Sequence, residues 1–302
     1  MKAYYNDVFV LPLPGGHRFP MTKYRKLRER LGQEQIVAEN NFIIPDGATD
    51  EQILRCHTSD YLEKVKTGTL SRKEIVRIGF PWSGELVERS RRSSGATICA
   101  ARTALSEGVS VNLAGGTHHA GRDFGAGYSV FCDSGIAARA LQAEGLVDKV
   151  AVIDCDVHQG NGTADVTRGD DSIFAFSIHG EKNFPFRKID GDLDIGLANG
   201  TCDDEYLETL EIALERILYT FQPDLVIYQS GADPFVGDKL GKLALTKAGL
   251  ARRDRMVLAM CRADGLPVAV TMGGGYADDV DDIVDIHFRT VAIAREFVER
   301  KT

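Results

Sequence analysis

The chain has 302 residues, with 36 Lys+Arg against 44 Asp+Glu, so its formal charge is −8 and its sequence pI is about 5.4. That balance argues against a nucleic-acid partner, which needs a basic face to neutralise phosphates, and no such concentration of cations is visible. The composition, 43% hydrophobic and 26% charged, is that of a globular chain with a substantial core; no run approaches the ~20 apolar residues of a membrane span, and Met1–Asp7 is not the start of a secretory signal, so a cytoplasmic location is expected.

In chain order, helical spacing appears near Tyr24–Leu31, Asp50–Cys56 and Tyr61–Thr67, followed by a long helical pattern from about Glu85 to Glu107. Within it Arg89, Arg91 and Arg92 stand close to Glu85 and Glu88 and read as a solvated helix face. From residue 109 onward, short apolar runs alternate with helical ones. The strands expected are Val109–Ala114, Val150–Asp154, Ile173–Ile178, Leu225–Gln229 and Val268–Met272. The helices expected are Ser129–Glu144, Asp203–Phe221, Thr246–Ala263 and Asp278–Val298, with Thr246 as one cap and acidic first turns on two others. Nearly continuous apolar strands separated by helices imply a parallel sheet covered on both faces. No linker, repeat or low-complexity tract interrupts the pattern, so residues 1–302 read as a single α/β domain. Six cysteines without any C-x-x-C pair read as reduced, mostly buried thiols.

In such a sheet, chemistry belongs on loops leaving the C-terminal ends of strands. There stand Gly-Gly-Thr-His118-His119, Cys155-Asp156-Val157-His158, His179, Ser230-Gly-Ala-Asp233 and Gly273-Gly-Gly-Tyr276. Continued as a strand, the second segment would project Asp154, Asp156 and His158 to one side. With Asp233, two carboxylates and an imidazole could hold a divalent ion and leave positions open, as catalytic zinc sites do. The same donors also accept iron or cobalt. A plainer reading makes Asp156 and His158 a buried ion pair and Asp233 a loop cap. His118 and His119 suit proton transfer, with Asp154 and Asn161 available to orient their rings. Tyr276 could donate to a developing oxyanion, or simply pack at a turn. Gly237 to Lys242 lacks the leading glycine and trailing Ser/Thr of a phosphate-binding loop, so no nucleotide is implied.

The stretches Gly-Gly-Thr-His-His-Ala (115–120), Asp-Cys-Asp-Val-His-Gln-Gly-Asn-Gly-Thr (154–163), Ser-Gly-Ala-Asp-Pro (230–234), Gly-Asp-Lys-Leu-Gly-Lys-Leu (237–243) and Gly-Gly-Gly-Tyr (273–276) together resemble the histone deacetylase superfamily, most of all its class IV branch. The resemblance implies a single-domain arginase/deacetylase-like α/β fold, with a mostly parallel eight-stranded sheet and helices on both faces. It implies Asp156, His158 and Asp233 as zinc ligands, His118 and His119 as a tandem acid–base pair, Tyr276 as the residue polarising the carbonyl, and Asp154 as partner of His118. Asn161 stands where many relatives carry an aspartate behind the second histidine. A potassium site would comprise Asp154 and Ser177 with the main-chain carbonyls of Asp156, His158 and Ile178.

The same resemblance places Tyr128, Phe184, Leu240 and Gly274 along a narrow tunnel for an acylated lysine, although Phe184 and Leu240 also read as ordinary packing. At the rim, Ile78-Gly-Phe-Pro-Trp82-Ser lacks the anchoring aspartate of peptide-directed relatives. The activity expected is metal-dependent removal of acetyl or longer acyl groups from N-acyl-lysine or a related N-acyl amine. Two alternatives stay open: deacylation of small acylated polyamines or metabolites, and a catalytically silent acyl-group binding module.

Overall fold

The protein is described by a computed structural model, which covers residues 1–11 and 13–298. Its strands are β1 (Ala3–Tyr4), β2 (Phe42–Ile43), β3 (Val109–Asn112), β4 (Val150–Asp154), β5 (Ile173–Gly180), β6 (Leu193–Leu197), β7 (Leu225–Ser230) and β8 (Val268–Met272). They form one eight-stranded sheet in the order β2-β1-β3-β8-β7-β4-β5-β6, with every ladder parallel. The helices are α1 (Thr22–Gln33), α2 (Asp50–Leu54), α3 (Ser59–Thr67), α4 (Arg72–Ile78), α5 (Gly84–Glu107), α6 (Asp133–Ala143), α7 (Asn161–Thr167), α8 (Asp203–Phe221), α9 (Lys247–Ala263) and α10 (Val280–Glu296). Among the described residues, no helix is long and apolar enough to cross a membrane.

The apolar runs are continuous because each central strand feeds two cores. Along β4, Val150 and Val152 pack with α5 and α6, whereas Ala151 and Ile153 pack with α8 and α9. β7 repeats the division, with Leu225 and Ile227 on one side and Val226 and Tyr228 on the other. A strand of period two covered on both faces has no polar side.

Several expectations are corrected. β1 and β2 are two residues each, too short to show alternation, and β6 is a half-exposed edge strand whose Asp194 and Gly196 interrupt its apolar residues. α6 begins at Asp133, not Ser129, because residues 129–132 belong to the loop carrying His118 and His119. Asp133 anchors that loop, accepting from Thr117 N at 2.8 Å, Gly116 N at 3.1 Å and Thr97 Oγ1 at 2.6 Å. The arginines of α5 do not form a solvated face. Buried Arg89 donates to Asn6 O and Phe9 O, Arg91 to Ala48 O and Arg92 to Pro45 O. Irregular segments cover this helix, and their carbonyls need donors that no ladder supplies.

His57, not singled out by its sequence, is buried between α2 and α3 and fully satisfied. Its Nδ1–H donates to Gly121 O at 2.8 Å and its Nε2 accepts from Cys132 N at 3.0 Å. Burial pushes its pKa down to about 4 from the ordinary 6.5. The unfolded chain therefore binds a proton between pH 6.5 and 4 that the folded chain refuses, and stability falls as pH falls through that window. The shift corresponds to about 3 kcal/mol. Urea midpoints at pH 7 and pH 4.5 should show a much steeper loss for the wild type than for His57→Asn; equal slopes would refute the assignment.

Candidate active site

The central strands β3, β4, β5, β7 and β8 deliver their following loops to one edge of the sheet, around a cavity of about 390 Å³. Its lining includes His118, His119, Tyr128, Asp156, His158, Phe184, Asp233, Leu240, Gly274 and Tyr276. The structure thus brings together residues separated by more than 150 positions in the chain.

β4 ends at Asp154, so Asp156 and His158 do not continue its pleat, contrary to the strand reading. Two successive side-chain turns carry the chain instead: Asp154 Oδ1 accepts from Asp156 N at 3.0 Å, and Asp156 Oδ1 accepts from His158 N at 2.9 Å. Asp156 and His158 still meet Asp233, because Asp233 Oδ1 accepts from Val157 N at 2.9 Å across the two strand exits.

One ligand atom from each of Asp156, His158 and Asp233 falls within 4.8 Å of the others. His158 Nδ1 is 3.0 Å from Asp156 Oδ1 and 3.2 Å from Asp233 Oδ2. Asp233 Oδ2 is buried yet accepts no hydrogen bond, and an unsatisfied buried oxygen is costly. Burial and the adjacent Asp156 push Asp233 up to about 7. Two crowded carboxylates and one imidazole, with a lone pair left over, fit a divalent cation.

The tandem histidines differ in what stands behind them. His118 Nδ1–H donates to Asp154 Oδ2 at 2.6 Å. Burial opposes charge on this ring, but Asp154 and Asp156 outweigh it and raise the pKa to about 9. His119 Nδ1–H donates to Asn161 Oδ1 at 2.7 Å, a neutral acceptor. Burial, then the neighbouring His118 and His158, hold His119 well below 6.5. Such a divergence marks a charged and a neutral member in one pair. The hydroxyl of Tyr276 is held protonated by desolvation and by Asp233 and Asp156.

The aromatics lining the cavity are positioned by backbone. Tyr128 adopts φ 65°, an uncommon left-handed conformation for a large side chain, held by Tyr128 N donating to Ile78 O at 2.7 Å. Its ring centroid is 5.9 Å from that of Tyr276. Phe184 stands edge-on to His119 at 4.9 Å. Asp154 and Ser177 are direct cross-strand partners on β4 and β5, and both border a cavity of about 10 Å³ beside Gly160.

Three supporting residues escaped sequence reading. Asp238 accepts from Tyr276 N at 2.6 Å, Leu240 N at 2.8 Å and Gly241 N at 2.9 Å, tying two site loops together. Buried Lys23 places its ammonium 3.5 Å from Gly275 O and 5.5 Å over the Tyr276 ring. Arg253, fully buried on α9, donates to Cys155 O at 3.1 Å and Gly231 O at 2.7 Å, immediately beneath the exits bearing Asp156 and Asp233. Its charge is met by Asp254 at 2.8 Å, and Asp254 in turn accepts from Tyr228 and Thr290 at 2.6 Å each. Asp238 sits in a stretch whose loop is legible, but a lone lysine on α1 or arginine on α9 carries no sequence signal of a role at the site.

Comparison with known proteins agrees with this geometry. The chain is 43% identical to an uncharacterised protein of Picosynechococcus, over 97% of each chain. It is 30% identical to histone deacetylase 2 of Arabidopsis thaliana, covering 89% of this chain and 72% of that one. It is also 30% identical to the histone deacetylase-like amidohydrolase of Pseudomonas aeruginosa, over 88% and 74%. The fold matches the crystal structure of an HDAC homologue from Aquifex aeolicus with a TM-score of 0.82 and 22% identity, covering 98% of this chain and 84% of the other. A family model for the histone deacetylase domain matches residues 17–291, nearly the whole chain, and on that ground together with the relatives this protein belongs to the histone deacetylase family.

Proposed function

We propose that the protein is a zinc-dependent amidohydrolase that removes acyl groups from the side-chain nitrogen of lysine or a related amine. The observation that carries this reading is the buried Asp156–His158–Asp233 donor set on the floor of a cavity that His118, His119 and Tyr276 also line. A divalent ion held by these three residues supplies Lewis acidity toward the amide carbonyl and the attacking water. Iron or cobalt would suit the same donors.

The chain's own groups account for the remaining chemistry. His119 is neutral, and with Nδ1–H directed to Asn161 its Nε2 carries the lone pair that takes a proton from water and returns it to the departing amine. His118, paired with Asp154, provides positive charge beside the developing oxyanion. Protonated Tyr276 donates to that oxygen. Tyr128 and Phe184 flank the methylenes of the amine and exclude water. Asp154 and Ser177, with the carbonyls of Asp156, His158 and Ile178, fit an inner potassium ion as an all-oxygen site.

The test is amine release from acyl-lysine peptides of increasing acyl length, using chelator-stripped protein reloaded with zinc, iron or cobalt. Hydrolysis should vanish on stripping and return with metal. Tight binding of the peptides with no release under any metal would instead establish an acyl-group binding module.

A further inference from the structure

The mouth of the cavity is cationic. Arg77, Lys182 and Lys242 line it, all three exposed, and among the described residues the only carboxylates in the lining are the floor residues Asp156 and Asp233. In a chain where 44 acids outnumber 36 Lys and Arg, an acid-free rim is not the background composition. Among the described residues, none of the three is in an ion pair: Arg77 stacks on Phe124 at 3.8 Å, and Lys242 Nζ donates to the main-chain Lys182 O at 3.0 Å. That bond, with Asn183 Nδ2 donating to Leu240 O at 2.7 Å, draws the two lysine-bearing loops together. The adjacent acid, Glu181, lies outside the lining, its Cβ and Cγ set against Gly196 on β6. Exposed Val76 and Phe186 also belong to the lining, the latter 89% accessible.

We infer that the rim selects an acylated amine whose neighbouring groups are carboxylates, with acyl-lysine flanked by Asp or Glu as the fitting class. Unpaired cations around a low-dielectric cavity attract an anionic flank and repel a cationic one. Acylated polyamines and lysine-rich tails meet like charge at the mouth and are disfavoured. The inference rests on the amidohydrolase reading for the amide it positions, but the selectivity belongs to the rim alone.

The experiment compares acetyl-lysine peptides flanked by Glu with the same peptides flanked by Lys. Affinity is measured by fluorescence anisotropy on metal-loaded His119→Ala protein, where no turnover is needed, and kcat/KM is measured on the wild type. A second pair, Nα-acetyl-Nε-acetyl-lysine as free acid and as methylamide, separates a peptide flank from a small molecule's own carboxylate. The Glu-flanked peptide should bind about tenfold more tightly at 50 mM salt, the margin should shrink at 0.5 M salt, and Lys182→Glu with Lys242→Glu should reverse the order. Equal affinities, no binding of either peptide, or a preference that survives the charge reversal would overturn the inference. Selective binding without hydrolysis by the wild type would leave the rim standing and remove the hydrolase reading instead.

Discussion

With metal bound at the wild-type stoichiometry, His119→Ala is expected to lose about 10²–10⁴ in kcat, and Tyr276→Phe about 10²–10³. The reason lies in protonation state rather than proximity alone. Of the two adjacent imidazoles, only His119 has a neutral acceptor behind it and a pKa held well below 6.5, so only it has a free lone pair at neutral pH. His118 is tied to Asp154 and its proton is retained up to about 9. Tyr276 sits on a loop fixed by Asp238 and keeps its proton, so removing the hydroxyl takes away a donor without moving the ring. Steady-state kinetics with metal analysis on the same samples checks both variants, and added imidazole should partly restore His119→Ala. Wild-type turnover in either variant at full metal occupancy would dismiss the assigned roles.

Gly274→Ala is expected to abolish metal binding while the protein stays folded. Gly274 is not among the glycines with positive φ, so alanine is compatible with its backbone. What it cannot tolerate is a Cβ, which would land on Asp233 Oδ2 and come within 2.9 Å of Asp156 Oδ2. Gly274 N also donates to Asp156 Oδ2 at 2.6 Å, so the glycine both orients one carboxylate and leaves room for the other. Displacing either should lower metal affinity by at least about 100-fold, the upper end for groups that orient ligands. Circular dichroism should be unchanged and metal content of the purified variant close to zero; full stoichiometry at wild-type affinity would show that the close approach is not required.

The central sheet was legible because Val150–Asp154 and Val268–Met272 are apolar on both faces, which only a doubly covered parallel strand explains. The candidate site was legible from rarity: three of the seven histidines, His118, His119 and His158, fall on loops that follow strands, beside acids and glycines, whereas His179, expected just past a strand, lies within β5 and outside the cavity lining. Short edge elements stayed hidden, since two residues at β1 or β2 have no period to read. The α5 arginines misled for a different reason. Charge near opposite charge on a helix suggests solvent, and nothing local reveals that residues 6–9 and 45–48 will lie across that face and need donors. Lys23 and Arg253 act on the site through more than two hundred intervening residues or from behind the sheet, distances at which sequence spacing is silent.

The brace formed by Arg253 bears on how the protein matures. Its guanidinium holds the backbone before Asp156 and before Asp233 from within the core, using contacts that need no ion. Small zinc domains gather their ligands only when the metal arrives, so for them loading and folding are one event. Here protein contacts alone tie the two exits, so the proposed metal site is expected to keep its shape in chelator-stripped protein, with circular dichroism unchanged. One cell could then fill it with whichever divalent ion is at hand and exchange that ion later, without the chain unfolding.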